Sequence, residues 1–257
     1  MATGVTDDER LRVRQRPAGT PVMRQLWRHL GFLHFPVDAA ALAATLPPGL
    51  EVDVFDGQAY VGLVPFTIPR SRLPGLGVPV TPPFHELNVR TYVHRGGRGP
   101  GVWFFSLDAA SRLAVLGARA VYGLPYFHAA MSMRVAGSDS QVDIVYSSRR
   151  SSRGADSKAA AFSGHYGPSG AAAEARPGSL EFWLVERYLL YSWNGRRLST
   201  ARVFHAPYPV QPARAEVTET VIAAAGLSVR GPAAHVHYAS EVDVRIYRPR
   251  RDAPSAP

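Results

Sequence analysis

A chain of 257 residues, 46% apolar and free of cysteine, is long enough for one large domain and excludes disulfides and thiolate metal centres together. Its 29 basic residues outnumber 20 acidic ones for a net charge of +9. The arginines are scattered apart from Arg149, Arg150 and Arg153, and Lys158 is the single lysine, so the charge speaks of solubility more than of nucleic-acid binding. No apolar run approaches the ~18 residues that span a bilayer. The opening MATGVTDDERLRVRQRP lacks the hydrophobic centre of a secretory signal, so a cytoplasmic protein is expected.

Residues 1–21 are polar and interrupted by Pro17 and Gly19; they read as a flexible tail. Val22–Phe35 is an apolar strand. Asp38 is placed to cap a short helix over Ala39–Leu46, stopped by Pro47-Pro48-Gly49. Asp56-Gly57 predicts a hairpin with arms Leu50–Phe55 and Gln58–Phe66. Residues 67–83 carry seven prolines and glycines, from Pro69 to Pro83, and read as a surface loop of the length reserved for lids and binding edges. The strand Pro83–Val93 puts Glu86, Asn88, Arg90 and Tyr92 on one face and Leu87, Val89, Thr91 and Val93 on the other, because side chains alternate with period 2. A carboxylate, an amide and a guanidinium in one row either meet water or line a polar cavity.

A Gly-rich turn leads into Val102–Leu107. A helix over Ala109–Leu116 follows, with Asp108 as its expected cap and Gly117 as its stop. Tyr126–Val135, Gln141–Ser147 and Ala160–Tyr166 read as strands, with Ser148–Lys158 and Pro168–Gly178 as loops. Leu180, Trp183, Leu184 and Arg187 follow helical spacing. Asn194-Gly195 turns into the strand Leu198–His205, residues 215–225 are ambiguous between strand and helix, and His235–Tyr247 alternates as a last strand. A proline-rich tail over 249–257 completes a single domain spanning 22–248.

The phrases LHFPVDAAALAATLPPGLEVDVFDGQAYVGLVPF, ELNVRTYV, GVWFFSLDA, ARAVYGLPYF, GSLEFWLVERYLLYS and HAPYPVQPA resemble, in order, the YqjF-like family of unknown function. That family is similar in fold to acetoacetate decarboxylase. The resemblance implies a mostly β fold: an antiparallel barrel or cone with a few short helices around a small-molecule cavity. Acetoacetate decarboxylases carry a phrase of the form G-R-E-x-[YW]-G-[YF]-P-K-K, whose first lysine forms a Schiff base with the substrate ketone while its neighbour lowers that amine's pKa. The matching stretch here, Ala118–Phe127, keeps Arg119, Tyr122, Gly123 and Pro125 but has Tyr126 and Phe127 in place of both lysines. A phenol cannot form an iminium, so Schiff-base decarboxylation is not expected. Glu86 lies 40 residues before Tyr126, a spacing similar to that between pocket glutamate and lysine in the decarboxylases, which implies that Glu86 faces the cavity.

Glu86 is thus a candidate general base whose pKa burial would raise, or else half of a Glu86–Arg90 pair filling a polar gap. Tyr126 could donate to a carbonyl or enolate oxygen, or merely fill the volume of the lysine. His128 and His205 are candidate proton shuttles. Asn88, Arg90, Arg119 and Tyr122 are candidate substrate-binding residues. Arg119 and Arg187 could hold a carboxylate, or pair instead with Asp108 and Glu186. His235 and His237 share a strand face, but two ligands make no metal site. No nucleophile elbow, phosphate-binding loop or H-E-x-x-H motif occurs. The expected function is a cofactor-independent enzyme of lyase or isomerase character, a dehydratase, cyclase or isomerase in secondary metabolism, acting by acid–base chemistry on a carbonyl-containing small molecule. The alternative is a non-catalytic binder or sensor using the same cavity. Neither needs a metal, membrane or nucleic acid, and a homo-oligomer is left open.

Overall fold

The computed structural model describes residues 4–76, 78–138, 141–150 and 160–251. Among the described residues, thirteen strands form one hydrogen-bonded sheet. They are β1 Met23–Val37, β2 Glu51–Val52, β3 Ala59–Arg72, β4 Phe84–Arg95, β5 Arg98–Ala109, β6 Tyr126–Ala136, β7 Asp143–Arg150, β8 Ala161–Pro168, β9 Leu189–Trp193, β10 Leu198–Phe204, β11 Val210–Glu219, β12 His235–Ile246 and β13 Arg250–Arg251. The helices among the described residues are α1 Asp7–Arg14, α2 Ala39–Ala43, α3 Arg112–Tyr122 and α4 Leu180–Val185. Among the described pairings only β5–β6 and β5–β9 are parallel.

The pairings close on themselves twice. One ring runs β12-β1-β3-β4-β5-β9-β10 and back to β12. The other runs through the same β12, β1, β3, β4 and β5 and returns by β6, β7, β8 and β11. The shared strands are therefore a wall with an interior on each side. Period-2 alternation sorts their side chains between the two. Phe32, Val64 and Phe66 join the core of the first ring, while Leu33, Leu63, Leu87 and Val89 join that of the second. A strand buried on both faces needs few charges, and β3 is buried without a break from Ala59 to Ile68. β4 is the exception in composition. Its polar row Glu86, Asn88 and Arg90 is also buried, and it faces the first ring.

Several expectations are corrected. Residues 7–14, expected in a loose tail, form a helix capped by Thr6, and the buried Arg10 clamps Asp53 with two bonds of 2.7 and 2.8 Å. Asp56-Gly57 does make a tight turn, with Phe55 and Gln58 exchanging backbone bonds. The arm before it pairs β4 rather than returning on β3. The loop expected from residue 67 begins only after β3 ends at Arg72. Helix α3 is capped by Ser111, runs through Gly117 and stops at Gly123, which is left-handed at φ 63°. Asp108 is instead a buried strand residue bound to Arg150 and Ser148. Strand β7 reaches Arg150; the rest of the expected Ser-rich loop, with Arg153 and Lys158, lies outside the described residues. The ambiguous stretch resolves into the end of β11 and a 3-10 turn at Ala223–Ala225. Of the C-terminal tail, Arg250 and Arg251 pair with β10. No described helix is long and apolar enough to cross a membrane.

Candidate functional site

The cavity of the first ring has a volume of about 920 Å³, within the range of small-molecule sites. Glu86, Asn88, Arg90, Arg119, Tyr122 and Tyr126 all line it. His128 and His205 do not.

Strand register brings Glu86 and Tyr126 together from a distance of 40 residues. On β5, Ala109 pairs Glu86 and Leu107 pairs Asn88; on its other side Leu107 pairs Tyr126. Residues directly opposite in a ladder point to the same face, so Tyr126 must project where Leu107 and Asn88 project, into the cavity. The parallel β5–β6 pairing requires a crossover, and α3 supplies it. Arg119 then fastens the crossover to the strand, its Nε donating to the Tyr126 carbonyl at 2.7 Å. Phe127 points to the opposite face, packed by the Arg119 and Arg150 guanidinium groups at 5.6 and 4.2 Å from its ring centroid. Of Tyr126 and Phe127, only Tyr126 opens on the cavity.

The Tyr126 hydroxyl donates to Glu86 Oε2 at 3.1 Å. Burial pushes the Glu86 carboxyl up to about 8, against the smaller opposing effects of the hydrogen bonds from Tyr126 and Asn88. No described cation offsets that burial. The expected alternative, a Glu86–Arg90 ion pair, is not formed. Burial and the adjacent Glu86 hold the Tyr126 phenol well above its ordinary range, so it is a hydrogen-bond donor and no base. The Tyr122 hydroxyl donates to the Tyr247 carbonyl at 3.4 Å, and burial raises its pKa.

Arg90 is 8% exposed, and its Nε and one terminal nitrogen have no hydrogen-bond partner. Its guanidinium lies 5.7 Å from the ring centroids of both Phe32 and Tyr92. A buried guanidinium without a carboxylate is costly and stands ready for an anion. Arg187 also lines the cavity, yet it is committed: Asp53 takes its terminal nitrogen at 2.6 Å and the Trp183 carbonyl takes its Nε at 2.7 Å. The pairing expected with Glu186 is replaced by Asp53. Arg119 pairs with neither Asp108 nor any other described carboxylate; its Nε instead holds the Tyr126 carbonyl.

The candidate histidines stand apart from this wall. His205 is buried in a stack between Tyr188 and Tyr208, at 4.4 and 4.3 Å, with Nδ1 2.7 Å from the Ala206 carbonyl. Burial lowers its pKa to about 4, so it is neutral near pH 7, and it packs against the cavity-lining Tyr208. His128 is half-buried on β6, beside Ala109 of β5. His235 and His237 join no cluster of metal-ligating residues among those described. Tyr208 was not among the sequence candidates. It lines the cavity, buried against Phe32 and His205, and its only sequence signal was its place in HAPYP.

Three comparisons bear on what this arrangement belongs to. Residues 24–243 match the family model DUF2071, described as an uncharacterized conserved protein. The uncharacterized protein YqjF of Bacillus subtilis is 40% identical over 237 residues, covering 91% of this chain and 94% of that one. Among solved structures, acetoacetate decarboxylase from Legionella pneumophila aligns with a TM-score of 0.62 at 14% identity, covering 98% of this chain and 96% of its own. The enduracididine biosynthesis enzyme MppR, complexed with pyruvate, aligns with a TM-score of 0.63 at 14% identity, covering 94% and 95%. At such identities the structures share the fold, and the fold is of acetoacetate decarboxylase type. The matched span and the identity to YqjF together show that the chain belongs to the DUF2071 family of uncharacterized conserved proteins.

Proposed function

We propose that this protein is a small-molecule enzyme that moves a proton at carbon next to a carbonyl group, without a Schiff base. The observation that carries the reading is the Tyr126–Glu86 contact inside a closed strand ring, whose cavity also holds, further along β4, the Arg90 guanidinium that no described carboxylate meets. The substrate carbonyl oxygen takes the Tyr126 hydroxyl hydrogen bond in place of Glu86. The Glu86 carboxylate removes the neighbouring proton, and the electron pair moves into an enolate whose oxygen Tyr126 stabilises. Returning that proton to another atom, or expelling a leaving group, gives isomerisation, dehydration or cyclisation. Glu86 with a pKa of about 8 is ionised in only about a tenth of molecules at pH 7, so its base form grows as pH rises through 8. As a neutral acid it can equally protonate a leaving oxygen. Arg90 holds an anionic substituent of the substrate. MppR, of the same fold, is a biosynthetic enzyme complexed with pyruvate, which supports a carbonyl compound as the ligand class.

Hydrogen–deuterium exchange at carbon next to the ketone, followed by proton NMR for a panel of keto acids in D2O, tests the reading. Exchange is expected to rise through pH 8 and to fall by about 10²–10⁴-fold in Glu86→Gln, with binding retained. Binding without exchange for every compound at every pH identifies the protein as a binder or sensor instead.

A further inference from the structure

The cavity carries two polar poles that do not meet. At a strand rise of about 3.3 Å per residue, Glu86 and Arg90 are about 13 Å apart along β4. Their side chains do not close that gap. The Arg90 guanidinium lies against the Tyr92 and Phe32 rings, its Nε and one terminal nitrogen bond nothing, and the groups that set the Glu86 protonation are burial, Tyr126 and Asn88, without Arg90. Asn88 stands between the poles on β4 with its Oδ1 unpaired, and the lining around them is largely apolar, with Phe32, Phe66, Phe104, Leu107, Leu124 and Leu190. Continuous with it are Leu113 and Val121 of α3, which are 65% and 55% exposed and also line the cavity. A small 2-oxo or 3-oxo acid, whose two functions lie within three bonds, cannot reach both poles and leaves most of a 920 Å³ cavity unfilled.

We infer that the ligand is an elongated amphiphile, with an anionic group on Arg90 and its reactive carbonyl at Tyr126–Glu86, joined by an apolar body. The inference deepens the acid–base reading and rests on it for the identity of the carbonyl pole. Taking ~1.5 Å per bond, the two functions are separated by roughly nine bonds. The apolar body supplies affinity by leaving water, the guanidinium fixes direction, and the exposed apolar rim of α3 accommodates what extends beyond the carbonyl.

Calorimetry with pyruvate, 4-oxopentanoate, 7-oxooctanoate and 10-oxoundecanoate tests the spacing. Affinity is expected to rise about threefold to fourfold per added methylene, with 10-oxoundecanoate tightest. Its methyl ester and the Arg90→Met variant should each lose tenfold or more; the ester carries the test if that variant fails to fold. Deuterium exchange should occur with 10-oxoundecanoate and be absent with 4-oxopentanoate. Equal affinity for 4-oxopentanoate and 10-oxoundecanoate, or indifference to the ester, overturns the two-pole ligand while leaving exchange chemistry on small ketones intact. Arg90-dependent binding of the long acid without exchange upholds the spacing and removes the acid–base reading instead.

Discussion

Proton affinity at Glu86 is set by what is missing around it. A buried carboxyl with a phenol and an amide for neighbours, and no described cation, keeps its proton to about pH 8. In the unfolded chain the same group titrates near 4.5. Between those values the native state binds more protons than the unfolded one, so this residue's contribution to stability falls as pH rises from about 4.5 to 8. Glu86→Gln, which cannot ionise, escapes that loss. Its unfolding free energy relative to the parent protein should improve by about 4 kcal/mol between pH 5 and pH 9, read from urea titrations at each pH. An unchanged difference between the two proteins across that range would place the carboxyl in contact with solvent or a cation. The row Glu86, Asn88, Arg90 was legible from alternation alone. That Glu86 and Arg90 remain apart was not, because the direction of a long arginine side chain depends on rings contributed by β1 and by its own strand.

Helix α3 decides where Tyr126 stands, and its boundaries show what local sequence can mislead. Gly117 looks like a stop, yet the helix continues, since an interior glycine costs only about 1 kcal/mol relative to alanine. Gly123 is the terminator, at φ 63°, a conformation that L residues with a Cβ pay for. The two glycines therefore respond oppositely to alanine. No atom lies within 4 Å of a Cβ added at Gly117, so Gly117→Ala should raise stability by about 0.5–1 kcal/mol. At Gly123 the nearest atom is the Ser192 hydroxyl at 4.0 Å, so the penalty there is one of backbone and not of space. Gly123→Ala should lower stability by about 1 kcal/mol and, by shifting the turn into β6, weaken the proposed exchange activity. Thermal melts of both variants beside the parent separate the two effects; a Gly123→Ala protein as stable as the parent would contradict the left-handed cap.

Across the whole molecule, the first ring carries a buried ion cluster beside its cavity. Asp53 binds Arg10 from α1 and Arg187 from the segment after α4, and the Arg187 guanidinium stacks 4.5 Å from both Tyr92 and Trp183. Burial lowers Arg187 to about 10 even so. Two buried cations sharing one carboxylate make that carboxylate the sensitive member. Asp53→Ala should destabilise by about 3–5 kcal/mol, because it leaves both guanidinium groups uncompensated. Chemical denaturation measures this directly, and a loss below 1 kcal/mol would mean that water reaches the cluster. Arg10→Ala leaves the Asp53–Arg187 pair and should cost less. This cluster also explains why the opening residues are a packed helix: Arg10 meets its partner 43 residues away, and no property of a short polar segment announces such a contact.

What the amino-acid sequence determined by itself is most of the strands, the polar row on β4, the Asp38-capped helix α2 and the presence of Tyr126 and Phe127 where the resemblance to decarboxylases implies lysines. These follow from period, propensity and covalent identity, which are local. The tertiary structure alone decided that five strands serve two interiors, that Tyr126 faces Glu86 while Phe127 turns away, that His205 packs against Tyr208, and that Arg90 has no carboxylate. Each of those depends on register and closure between segments far apart in the chain, where a shift of one residue reverses every side chain.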